Sequence, residues 1–244
     1  FAIAAATELR RLLSVPSSDP PMVVDADLRP EGRNGPLVRT LASYQAYYQR
    51  WSLTWESQAL LRAAPIAGDS DLGKKFCDVI DALRWPAGGL TDQQVIEIRR
   101  IKARVEAERL PRGADPALHT KLGPGGLADV EWTVQLLQMQ HASTVPAMKT
   151  TSTLAALRAA SDGGLIDESD AEVLRSAWLL ATSIRDAIMV AKGRPSDSLP
   201  RDSSELRLVA GVLGYDPGRP GDLVEDYRRV SRRSRAVVEK VFYT

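Results

Sequence analysis

Apolar residues recur at steps of three and four along most of this chain, and short runs of proline, glycine, serine and aspartate punctuate them. The spacing predicts a helix over 2–14, closed by Pro16-Ser17-Ser18-Asp19-Pro20-Pro21. From Thr40 onward, Leu41, Tyr44, Tyr48, Trp51 and Trp55 form an aromatic stripe on one helical face, which reads as core packing. Asp69 to Leu83 is another helix, stopped near Trp85-Pro86-Ala87-Gly88-Gly89. The next opens on Thr91-Asp92-Gln93-Gln94, a capping box in which Thr91 and Gln94 satisfy end amides reciprocally, and carries Val95, Ile98, Ile101 and Val105 inward as far as Arg109. Further helices are expected at 126–142, 152–162, 167–192, 203–214 and 221–242.

Two stretches depart from the helical period. Through Val23-Val24-Asp25-Ala26-Asp27-Leu28 the alternation is that of a strand, with Val24, Ala26 and Leu28 on one face. Asp25 and Asp27 share the other, roughly 7 Å apart at about 3.3 Å per residue. Ala59 to Ile66 reads as a second, short extended piece that closes at Gly68-Asp69. The fold expected is mainly α: a small, incomplete α/β piece over 1–84 followed by an all-α helical bundle over 85–244.

Composition narrows the classes. At 244 residues and 44% hydrophobic content the chain supports a real core, while 32 basic against 31 acidic residues leave a net charge of +1. That balance supplies no global field for nucleic acid or an anionic membrane, so neither is expected as a partner. No apolar run reaches the roughly 18 to 20 residues needed to span a bilayer. The single Cys77 makes no internal disulfide and fits a reducing cytoplasm. Phe1 leads straight into helix without an initiator Met, which points to a piece of a longer protein.

Candidate chemistry gathers in two places. Asp25 and Asp27 present carboxylate oxygens suited to a hard cation such as Mg²⁺. Directly after them Arg29 and Arg33 supply cationic forks for phosphate, and Gly32 and Gly35 let the backbone turn sharply and approach a ligand. The same stretch also fits a solvated strand end running into a loop. The second place is Lys121-Leu122-Gly123-Pro124-Gly125-Gly126-Leu127-Ala128-Asp129-Val130-Glu131, a glycine-rich loop entering a helix. Asp129 and Glu131 favour that helix N-terminus electrostatically, and the loop's amides with Lys121 offer a phosphate cradle of non-P-loop spacing. His119 and His141 have no partner at zinc-ligand spacing, and no Gly-x-Ser-x-Gly elbow supports a hydrolase. Arg228, Arg229, Arg232, Arg233 and Arg235 form either a solvated helical face or a docking face for an acidic surface.

Three segments in order carry a resemblance. They are 24–38, then Thr54-Trp55-Glu56-Ser57-Gln58-Ala59-Leu60-Leu61-Arg62-Ala63 with Gly68-Asp69, then 121–131 with Gln135. Together they resemble the bifunctional glutamine synthetase adenylyltransferase/adenylyl-removing enzyme family over essentially the whole chain. The resemblance implies polymerase β-type nucleotidyltransferase units, each followed by a helical domain, that add AMP from ATP to a tyrosine of glutamine synthetase or remove it by phosphorolysis. Arg109-Leu110-Pro111-Arg112-Gly113-Ala114-Asp115-Pro116 and Gly193-Arg194-Pro195-Ser196-Asp197 look like the C-terminal, adenylylating half of an actinobacterial member.

By that resemblance Asp25 is the third catalytic carboxylate, binding Mg²⁺ and orienting the tyrosine hydroxyl, with Asp27 in support. Arg29 to Gly35 lie near the triphosphate of ATP, and Trp55, Glu56 and Arg62 brace the site. The family's earlier Gly-Ser…Asp-x-Asp strand has no counterpart before Asp25, so residues 1–244 alone are expected to be inactive. Glutamine synthetase and a PII-type signalling protein are the implied partners. The alternatives are the adenylyl-removing half and a non-catalytic helical module that binds one of those two proteins.

Overall fold

A computed structural model describes residues 1–16, 22 and 24–244, and ten α-helices occur among them. The expected turn over 17–21 and the expected strand residue Val23 lie outside the described residues. The chain divides into two compact units, Phe1–Arg84 and Trp85–Thr244.

The first unit holds α1 (Ala2–Leu13), α2 (Leu41–Trp51), α3 (Thr54–Leu60) and α4 (Ser70–Arg84). Its buried apolar core is small, with Tyr48, Leu61 and Ile80 at its centre. Thr40 caps α2 by accepting the Ser43 amide at 3.2 Å. Tyr44 stacks on Tyr48 at 6.1 Å and meets the Phe76 edge at 5.2 Å, so the start of the aromatic stripe does pack α2 against α4. The stripe then breaks. Ser52 and Leu53 are extended between α2 and α3, and Trp51, at 69% exposure, points to solvent instead of joining a continuous helical face. Arg84 closes the unit, donating to the Leu60 and Ala63 carbonyls at 3.3 and 2.7 Å and to Asp81 at 2.8 Å.

No β-strand occurs among the described residues. The strand expected at 24–28 is a turn, because its polar groups find partners locally: Asp25 Oδ1 accepts the Asp27 amide at 2.8 Å, and the Arg29 side chain takes the Ala26 carbonyl at 2.6 Å. A strand needs a neighbouring strand for those groups, and side chains have replaced it. The extended piece expected at 59–66 also differs. Helix α3 runs through Leu60, the Leu61 amide turns back to the Gln58 carbonyl at 3.1 Å, and Leu61 is buried.

The second unit is the helical bundle. It comprises α5 (Asp92–Glu108), α6 (Leu127–His141), α7 (Thr153–Asp162), α8 (Glu168–Lys192), α9 (Ser203–Val212) and α10 (Gly221–Phe242). The capping box at α5 forms as expected, the Gln94 side chain taking the Thr91 amide at 2.9 Å while Thr91 Oγ1 accepts the Gln94 amide at 3.3 Å. The long α8 supplies the floor, and its Ala181, Ile184 and Ile188 pack with Leu127, Leu199, Val209, Leu223 and Tyr227. Helix α6 is buried on nearly every side, which accounts for its weak amphipathic signal. In α5 the inward column is Val95, Ile98 and Lys102; Ile101 and Val105 are only half-buried. The exchange of an expected apolar column for one containing a lysine leads directly to the chemistry of this unit.

Candidate functional site

In the first unit the turn over 24–35 and helix α1 enclose an open cleft of about 510 Å³ lined by Arg10, Val24, Asp25, Asp27, Arg29 and Arg33. The sequence places Asp25, Asp27, Arg29 and Arg33 here, and the structure brings these four together. All four are engaged in local contacts. The Arg29 guanidinium is consumed by the turn itself, donating to the carbonyls of Ala26 at 2.6 Å, Gly35 at 3.0 Å and Arg33 at 3.1 Å. Arg33 Nε pairs with Asp27 Oδ2 at 2.8 Å in an exposed bridge, which solvent screens.

Gly32 and Gly35 are turn builders. Gly32 takes φ +56°, and a Cβ on Gly35 would stand 2.1 Å from the Pro30 carbonyl oxygen. Their amides donate to the carbonyls of Arg29 and Gly32 at 2.8 and 3.2 Å, so neither is turned outward to a phosphate. Trp55, Glu56 and Arg62 belong to the neighbouring α3 segment. Glu56 is buried and both its oxygens are occupied, Oε1 by the Tyr47 hydroxyl at 2.8 Å and Oε2 by the Leu53 amide at 2.9 Å.

The cleft on its own does not fit a resident Mg²⁺. Such an ion wants near-octahedral oxygen ligands, often from one or two carboxylates plus substrate phosphates. Here the two carboxylates face three arginines, one is ion-paired and the other is tied to an amide. Among the described residues no group of three or more His, Cys, Asp and Glu is arranged to hold a metal ion.

Lys121, Asp129 and Glu131 lie in the second unit, and there the expected phosphate cradle is a structural knot. The amides of Leu122, Gly123, Gly125, Gly126, Leu127 and Ala128 all have internal acceptors, among them His119 Nδ1 for Leu122 and Asp129 Oδ2 for Gly125. Pro124 has no amide to give. A Cβ on Gly125, at φ +73°, would stand 1.9 Å from the Ser231 carbonyl oxygen, so the loop is pressed backbone to backbone on α10. Lys121 is exposed, and Glu131 is half-buried.

Asp129 is the hub of that knot. It is 2% exposed and bonds the ammonium of Lys102, itself 1% exposed, as well as the Gly125 amide at 2.7 Å and Arg235 Nη1 at 3.1 Å. Glu106 accepts from Lys102 at 2.5 Å and from Arg235 at 2.9 Å, and Arg235 lies over the Tyr243 ring. Burial opposes ionisation of Asp129, but Lys102, the Gly125 amide and Arg235 together hold its carboxyl below the usual carboxylate range. Sequence reasoning does not find Lys102, and it reads Arg235 only as part of a basic helical face, not as a partner of Asp129. The available signal was position: Lys102 lies four residues beyond Ile98, on the buried face of α5. In the first unit the missed residue is Arg10, which shares the half-buried face of α1 with Ala6 and Leu13.

Comparison with known proteins finds two family models in order along the chain. A protein-family model described as Glutamate-ammonia ligase adenylyltransferase matches residues 1–79, and one described as GlnD PII-uridylyltransferase matches residues 99–243. Both descriptions are of nucleotidyltransferases. Proteins named bifunctional glutamine synthetase adenylyltransferase/adenylyl-removing enzyme are similar to nearly the whole chain: 60% identical over 98% of it in Streptomyces avermitilis, and 55% identical over 99% of it in Mycobacterium avium. The chain belongs to this family, and it spans about a quarter of the length of these relatives, 24% in each.

Proposed function

We propose that this chain is part of an enzyme that transfers AMP from ATP to a tyrosine of glutamine synthetase, within its adenylylating half. The observation that carries the reading is the order of the two matches along one chain, at 60% identity to a relative so named. The cleft of the first unit is the nucleotide side of the site. Asp25 is its catalytic carboxylate: Oδ1 is fixed by the Asp27 amide, and no described residue bonds Oδ2. Arg29 holds the turn that aims it, as a positioning residue. The second unit is the rigid helical part, with the Lys102–Asp129–Arg235 hub fixing the glycine loop against α10.

Residues 1–244 by themselves do not catalyse the transfer in this reading, because in-line nucleotidyl transfer calls for a set of carboxylates that holds metal ions, and Asp25 beside the ion-paired Asp27 is not such a set. Glutamine synthetase is the proposed protein substrate. A PII-type signalling protein is the proposed regulator, and the exposed Arg232 and Arg233 of α10 are a candidate surface for either.

Transfer of labelled AMP from ATP to glutamine synthetase, measured for the 244-residue chain and for a longer protein that contains it, tests the reading. Label enters only with the longer protein, and Asp25→Asn in that protein lowers the rate by at least about 100-fold, the scale of a lost acid–base group. Phosphate-dependent release of AMP without transfer would instead assign the chain to the removing half. Binding without either reaction would leave a helical recognition module.

A further inference from the structure

Three arginines line the cleft of the first unit, and of these only Arg10 has no side-chain partner among the described residues. Arg29 is spent on three backbone carbonyls, and Arg33 is paired with Asp27 at the surface. Arg10, reaching in from α1, makes no side-chain hydrogen bond or ion pair with any described residue, and its Nε is buried without a partner. A buried donor without an acceptor is unfavourable, most of all on a charged group, so such an atom marks a place where a partner belongs.

The charges around it say what kind. Asp27 is neutralised by Arg33, and Asp25 is stabilised by an amide. The carbonyls that hold Arg29 are neutral, so its charge stays uncompensated beside that of Arg10. The cleft therefore carries an excess of positive charge, and Arg10 offers a planar fork whose geometry matches phosphate oxygens. The turn cannot do the same job, because the amides of Gly32 and Gly35 are already bonded within it.

We propose that Arg10 is the phosphate-binding residue of this cleft, taking a phosphate oxygen of the ligand that lies beside Asp25. The proposal rests on the nucleotide reading above for the identity of that ligand. A nucleoside triphosphate and free inorganic phosphate share this chemistry, and they are separated by titrating each.

The test is calorimetric titration of the 244-residue chain with ATP and, separately, with inorganic phosphate at low salt. It compares the unaltered chain, Arg10→Gln, and Arg100→Gln as an exposed control on α5. Arg10→Gln is expected to weaken binding by at least about tenfold, equivalent to about 1.4 kcal/mol, with Arg100→Gln unchanged. The stronger of the two titrants identifies the ligand. If Arg10→Gln lowers the melting temperature, Arg10→Lys replaces it, with an expected loss of at least about threefold because the fork is gone.

Normal binding by the Arg10 variant overturns the proposal, as does equal weakening by Arg100→Gln or no binding of either titrant by the unaltered chain. Failure of the functional reading looks different. A longer protein that transfers no AMP while the Arg10 effect persists refutes the reaction, and one that transfers AMP with Arg10→Gln binding ATP normally refutes the residue.

Discussion

Arg29 and Arg10 are the same side chain on neighbouring elements, and their surroundings give them opposite work. Three carbonyl acceptors make Arg29 a fixed part of the backbone turn. Arg29→Ala should free that turn, and hydrogen exchange at the Gly32 and Gly35 amides would rise while exchange in α8 stays unchanged; unchanged exchange at those two glycines would refute the bracing role. The sequence shows carboxylates followed by a turn with cations, and Gly32 and Gly35 are legible as the turn's builders. It does not show that their amides face inward, because that depends on which carbonyl each one meets. Lys102 carries the same lesson in the second unit: a lysine on an apolar face reads as a defect until Asp129 is placed against it. Lys102→Met should lower stability by about 3 kcal/mol in denaturant unfolding, because it strips a buried carboxylate of its nearest cation. A change below about 1 kcal/mol would mean that Arg235 alone sustains Asp129.

His119 adds a pH dependence at the same scale. It is buried, and burial lowers its pKa from the ordinary 6.5, while its Nδ1 accepts the Leu122 amide. The unfolded chain therefore takes up a proton first, and stability falls as pH drops from about 6.5 toward the folded value. His141 shifts in the same direction, again through burial, and Asp129 adds a further loss at lower pH as its depressed pKa is crossed. Melting temperature measured from pH 7 to pH 5 should decline, and His119→Asn, which keeps an acceptor for the Leu122 amide, should flatten part of the slope. An identical slope in the variant would remove His119 from the account.

At the scale of elements, the helices were readable because their signals are local. The Thr91–Gln94 box, the Gly193 stop and the three- and four-residue spacing of α8 and α10 each act within a few residues. Alternation at 24–28 describes only faces, whereas a strand also requires a partner, and none occurs among the described residues. The break between α2 and α3 is hidden in the sequence for a related reason: Trp51 and Trp55 keep helical spacing across Ser52 and Leu53, where the backbone is extended. In sequence the glycine loop before α6 offers a phosphate cradle or a helix N-terminus favoured by its acids. Contact with Ser231, more than a hundred residues away in sequence, makes it a joint.

For the whole molecule, one chain joins a lightly packed first unit with a cleft of mixed charge to a helical bundle with a buried ionic hub. No helix among the described residues is long and apolar enough to cross a membrane. The central claim is that this chain belongs to the AMP-adding side of its family's chemistry, with Asp25 in the reacting pocket. The most direct measurement is incorporation of label from α-phosphate-labelled ATP into a tyrosine of glutamine synthetase by a longer protein carrying this sequence, with Asp25 intact and as Asp25→Asn. The account predicts tyrosine-linked AMP in the first case and at least about a 100-fold slower reaction in the second. Transfer at an equal rate by both, or none by either, would contradict it.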